Sequence, residues 1–115
     1  MTDIDELSGE ELDEAVALAR GWVKYIGVWV TETSSGRCWH EEVRGYHPSR
    51  DISQAWELAD GEVAAGYTFR VERCQDSCWA SFDNWAWDIH HAAGGDTVAT
   101  AISRVFLKAK SGVGK

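Results

Sequence analysis

Two stretches decide the fold: Tyr67-Thr68-Phe69-Arg70-Val71-Glu72 and Cys78-Trp79-Ala80-Ser81-Phe82-Asp83. In the first, Tyr67, Phe69 and Val71 alternate with Thr68, Arg70 and Glu72, the period-two pattern of a strand with one buried face. A slip of one residue would turn every side chain of the partner strand to the other face. Setting Phe69 and Val71 beside Ala80 and Phe82 requires an even loop, and Cys74 to Ser77 supplies it. An odd loop would bring Ser81 and Asp83 to that face instead. The chain therefore holds a β-hairpin whose apolar face needs a cover.

The cover lies on either side in the sequence. Ahead of the hairpin, Pro48 disfavours helix at His47, Ser49 or Asp51 can cap, and Ile52, Ala55, Trp56, Ala59 and Val63 recur at helical spacing. Gly66 is a natural stop. On this stripe Trp56, flanked by Ala55 and Ala59, is expected to be largely buried. Beyond the hairpin, Asp96 can cap a helix in which Val98, Ala101, Ile102, Val105, Phe106 and Ala109 form the apolar stripe. A first helix is expected from about Gly9 to Trp22, with Ser8 and Glu11 at capping-box spacing and Leu7 and Leu12 as a staple. Between the first two helices, Tyr25 to Thr31 and Arg37 to His40 suit a second, extended hairpin around Ser34-Ser35-Gly36. The expectation is an α+β domain over 1–110, a small antiparallel sheet with three helices in an αβα layered sandwich, and a flexible tail over 111–115.

Composition narrows the function. The 115 residues suit one domain. Eleven Lys and Arg stand against nineteen Asp and Glu, a net charge of −8, which excludes duplex DNA binding through the overall field. Apolar runs are too short to span a membrane, and the acidic N-terminus does not read as a signal peptide. A cytoplasmic location with three reduced cysteines is expected.

Three segments also carry a family resemblance: Leu7-Ser8-Gly9-Glu10-Glu11-Leu12-Asp13-Glu14-Ala15-Val16-Ala17, Tyr46-His47-Pro48-Ser49-Arg50-Asp51-Ile52-Ser53-Gln54-Ala55-Trp56-Glu57, and Gly95-Asp96-Thr97-Val98-Ala99-Thr100-Ala101-Ile102-Ser103-Arg104. In this order they resemble the phage ABA-sandwich domain family of small phage and prophage proteins. The resemblance implies an αβα fold, a phage origin and residence in a bacterial host cell, but no reaction. His47-Pro48 ahead of the serine and the Trp-rich stretch at 85–87 depart from the family pattern.

Several constellations could carry chemistry. Cys38, His40, Cys74 and Cys78 have the inventory of a zinc site without a Cys-x-x-Cys spacing. Asp88, His90, His91 and Asp96 could ligate a catalytic divalent ion, though no hydrolase spacing is present. Solvated loop polarity accounts for them more simply, so neither metal nor cofactor is assigned. Gly94-Gly95-Asp96-Thr97 offers helix N-terminal amides to an anion, but an Asp96 cap would occupy those donors. Ser49 and Arg50 are the better anion candidates, since a guanidinium presents a planar fork to phosphate or carboxylate. Of the seven tryptophans, Trp22 and Trp56 fit the core. Trp79, Trp85, Trp87 and Ile89 could line one sheet face, as a stacking platform or as core.

The leading expectation is a phage-encoded accessory protein that binds rather than catalyses, sequestering a small nucleotide signal of host defence through Tyr46, Ser49, Arg50, Trp85 and Trp87. Two alternatives stand beside it. One is a protein–protein inhibitor or self-assembling module that docks a Trp-rich face on a host protein or a second copy. The other is a metal-dependent hydrolase that uses His90 or His91.

Overall fold

A computed structural model describes residues 4–111. The fold is α+β, with three helices and two antiparallel three-stranded sheets. After a short 3-10 turn at Ile4–Glu6, helix α1 spans Gly9–Ala19. Strands β1 (Val23–Tyr25), β2 (Val28–Thr33) and β3 (Gly36–Glu42) form the first sheet. Helix α2 (Ile52–Ala64) leads to the second sheet, of β4 (Thr68–Arg73), β5 (Cys78–Asn84) and β6 (Ile89–Gly95), and α3 (Val98–Ser111) closes the chain. Each expected hairpin thus gains a third strand. Apart from Ser111, the tail expected over 111–115 lies outside the described residues. Among those described, no helix is long and apolar enough to cross a membrane.

The hairpin register is the one that the alternation demands. Phe69 pairs with Phe82, Val71 with Ala80, and Arg73 with Cys78, which leaves Cys74 to Ser77 as the loop. Strand β6 was not expected, because His90-His91-Ala92-Ala93-Gly94-Gly95 has little β propensity. Its small residues serve packing instead. Ala93 and its β5 partner Ala80 are buried beneath α3, and a Cβ on Gly95 would meet the Ala101 amide and the Thr100 side chain at 2.9 Å. Helix α3 therefore lies close on β5 and β6, and it also touches α1 and α2. Ile102, Val105 and Phe106 join Leu12, Val16, Leu58 and Phe82 in one core that also takes in Trp22 and Trp29. The free edge of β6 is occupied: Arg104 donates to the Gly94 carbonyl (2.9 Å) and Lys108 to that of Ala92 (3.0 Å), which blunts the edge against pairing.

Several local expectations need correction. Helix α1 ends three residues before Trp22, because Gly21 adopts φ +82° and closes a Schellman motif. In it Trp22 N–H bonds Ala17 O and Gly21 N–H bonds Leu18 O. Ser8 occupies the cap position of α1, but its side chain makes no capping hydrogen bond, so the capping box does not form. Asp51 does cap α2, accepting from Ser53 and Gln54 N–H. The buried stripe of α2 is Ala55, Leu58, Ala59 and Glu62, with Lys110 paired to Glu62 at 2.6 Å. Trp56 lies beside that stripe and is 40% exposed, resting edge-on against Phe69 at 5.4 Å. The rotation follows from contact with α3, which takes the smaller faces of α2 and leaves the indole at the margin.

Candidate functional site

The residues between the first sheet and α2 form a wall held by buried polar contacts. Tyr46 is 3% exposed, and its hydroxyl accepts from Arg20 at 2.9 Å. Burial pushes the Tyr46 phenol above its ordinary value, and the Arg20 bond partly offsets this. Arg20 also lies over the Trp22 ring, which stacks on His40 at 4.2 Å. Burial, followed by the Arg20 charge, holds His40 below the usual histidine value. Further along, Gln54 accepts from His47 N–H and donates to Gly45 O, so α2 grips the segment before it.

This wall, the start of α1 and strand β2 enclose a cleft of about 540 Å³, within the range of small-molecule sites. Arg44, Tyr46, His47 and Arg50 line it from the connecting segment, Trp29 from β2, and Asp13 from α1. Of the three acids that line it, Glu14 pairs with Lys24 at 2.9 Å and Asp13 accepts from Ser49 N–H at 2.8 Å, while Glu10 makes no side-chain hydrogen bond or ion pair among the described residues. Arg44 and Arg50 are exposed and make no side-chain hydrogen bond or ion pair among the described residues. Two lining residues also hold buried polar atoms that have no partner among the described residues, Nε1 of Trp29 and Nδ1 of His47. Buried polar groups are ordinarily satisfied, so two orphans at one cleft are informative. The indole N–H and both guanidiniums can only donate, which favours an acceptor-rich, anionic partner.

The expected site residues do not all meet here. Tyr46 and Arg50 line this cleft, and Ser49 lies behind it on the other side of the chain. With its ring buried, Tyr46 offers no stacking surface and acts as wall. Trp85 and Trp87 sit elsewhere, 68% and 76% exposed in the turn between β5 and β6. Ile89 does not share their face, since it pairs with Asn84 and leads the inward-facing His91 and Ala93. Trp29 and His47 were not expected as site residues. Their signal was Trp29 within a β-branched run and a histidine before Pro48, neither of which shows its orphaned nitrogen in the sequence.

The other side of the second sheet carries a polar cluster. Asp83 accepts from Ser81 Oγ (3.3 Å) and contacts His90 Nδ1 (3.0 Å), while His90 Nε2 contacts Asp88 (3.2 Å). Bonds to Asp83 and then Asp88 raise the His90 value above that of an ordinary histidine. Ser81 and His90 both bond Asp83 rather than each other, so the nucleophile–base contact of hydrolytic triads is not made. His91 faces the core near Tyr67, away from His90, and Asp96 lies at the start of α3. Cys38 and Cys74 are exposed, whereas Cys78 is core. Among the described residues, no group of three or more His, Cys, Asp or Glu could hold a metal ion.

Compared with known proteins, the chain matches no family model and no curated sequence. The phage-family resemblance therefore rests on its three motifs alone.

Proposed function

We propose that this chain is an accessory protein of phage type that acts by binding, and that it holds the anionic group of a small ligand, such as a nucleotide phosphate, in the cleft lined by Trp29, Arg44, His47 and Arg50. One observation carries the reading: Trp29 and His47, which line the cleft beside two uncommitted guanidiniums, each hold a buried nitrogen that has no hydrogen-bond partner among the described residues. A phosphate or carboxylate would satisfy the donors and offset the charge. The base or other body of the ligand would lie outside, because neither Trp29 nor Tyr46 exposes a ring face.

Titration calorimetry with adenosine 5′-monophosphate at low salt tests the reading. Binding is expected to weaken about tenfold in Arg44→Gln and several-fold in Trp29→Phe, which keeps an aromatic side chain but removes the indole N–H; thermal melting checks that the smaller ring leaves the variant folded. Absence of any binding at millimolar nucleotide would end the proposal.

A second reading draws on the exposure of Trp85 and Trp87, for such rings commonly anchor protein interfaces. In that case Trp87→Ser abolishes retention of a host protein and leaves nucleotide binding unchanged.

A further inference from the structure

The cleft lined by Trp29 and His47 reaches Arg50, which also lines a second cleft of about 440 Å³. Its walls are Ser49, Arg50 and Ile52 on one side and the start of α3, Asp96 to Thr100, on the other. Thr100 Oγ1 donates to Ser49 O at 3.1 Å and holds the two walls together. The two anion candidates of the sequence, Ser49-Arg50 and the α3 N-terminus, therefore face one space.

The expected Asp96 cap would have closed this space to anions. Instead, Thr97 caps α3, its Oγ1 accepting from Thr100 N–H at 3.1 Å. The Val98 and Ala99 amides keep no intrahelical acceptor, and Asp96 bonds neither of them. An independent observation points the same way. Ser49 is 3% exposed, and its Oγ is buried with no hydrogen-bond partner among the described residues. A helix N-terminus, an orphaned hydroxyl and a free guanidinium are the donors that an anion requires.

We infer that the two clefts are paired anion subsites bridged by Arg50, and that the ligand carries two separated anionic groups, as a bisphosphate does. This rests on the reading of the first cleft, whose own anion is the partner of Trp29, His47 and Arg44. The second group sits against Ser49 Oγ and the Val98 and Ala99 amides. Among the described residues Asp96 is the single acid that lines the second cleft, and it works against binding there.

Calorimetry with adenosine 3′,5′-bisphosphate and adenosine 5′-monophosphate separates the two claims. The bisphosphate is expected to bind about tenfold more tightly than the monophosphate. Ser49→Ala should remove about threefold or more of that advantage and leave monophosphate affinity unchanged, and Asp96→Asn should strengthen the bisphosphate alone. Thermal melting of both variants checks that they fold. Equal affinity for the two ligands, or variants that shift both ligands alike, would overturn the second subsite and leave the first cleft standing. Failure of both ligands to bind would overturn both.

Discussion

The amide of Ser49 donates to Asp13 Oδ1 over 2.8 Å, and both residues are buried. Thirty-six positions apart in the chain, they tie α1 to the segment that separates the two clefts. Asp13→Ala leaves the Ser49 N–H buried without an acceptor, which is expected to cost about 1.5–3 kcal/mol, the range for hydrogen bonds to a charged group. Urea denaturation gives the cost, and nucleotide affinity should fall with it. Unchanged stability would mean that the contacts from Arg20, Gln54 and Thr100 hold the segment without Asp13.

Trp29 and Trp56 make a second test. Trp29 is 1% exposed in the core, so Trp29→Ala should cost about 3–5 kcal/mol through lost burial and a residual cavity. Trp56 is 40% exposed and keeps an edge contact with Phe69. Trp56→Ala should cost only about 1–2 kcal/mol, the worth of an aromatic pair plus partial burial. Denaturation midpoints of the two variants must differ in that order. The reverse order would place the buried face of α2 at Trp56.

The two perturbed histidines shift stability with pH in opposite directions. The folded value of His90 is raised, so its stabilisation is full below the ordinary histidine value of 6.5 and is lost as pH rises through the folded value. His40 is lowered, so its contribution is lost as pH falls below that ordinary value. His90→Gln should therefore destabilise more at about pH 5 than at about pH 8, whereas His40→Gln should relieve part of the acid loss. Thermal melts across this range check both signs. Parallel pH profiles for wild type and His90→Gln would show that the Asp83 and Asp88 contacts do not persist in solution.

Gly95 tests the seat of α3. A Cβ there would approach the Ala101 amide and Thr100 side chain at 2.9 Å, so the helix must move outward. Gly95→Ala should cost about 1–3 kcal/mol, as overpacking does, and should reduce binding of the bisphosphate more than of the monophosphate. Gly61→Ala, at a helical position with open space around it, is the control and should be neutral or slightly stabilising.

Periodicity by itself settled which segments are helices, and it fixed the register of the β4–β5 hairpin. Phe69 and Val71 face Phe82 and Ala80 because only that pairing sets all four on the core side of the sheet, a condition written within fifteen residues of chain. Asp51 and Gly66 were legible for the same reason, since caps and helix stops depend on neighbours a few positions away. Strand β6, the rotation of α2 that leaves Trp56 at the margin, and the choice of Thr97 over Asp96 as cap depend on how closely α3 can approach the sheet and α2. The candidate site depends on longer reach still. Arg50 was visible as a lone guanidinium, but the orphaned nitrogens of Trp29 and His47, and the meeting of Ser49 with Thr100 across 51 positions, arise only where distant elements exclude water together. Local sequence encodes which face of an element is apolar, whereas tertiary contact decides which polar atoms lose their water and what partner they then require.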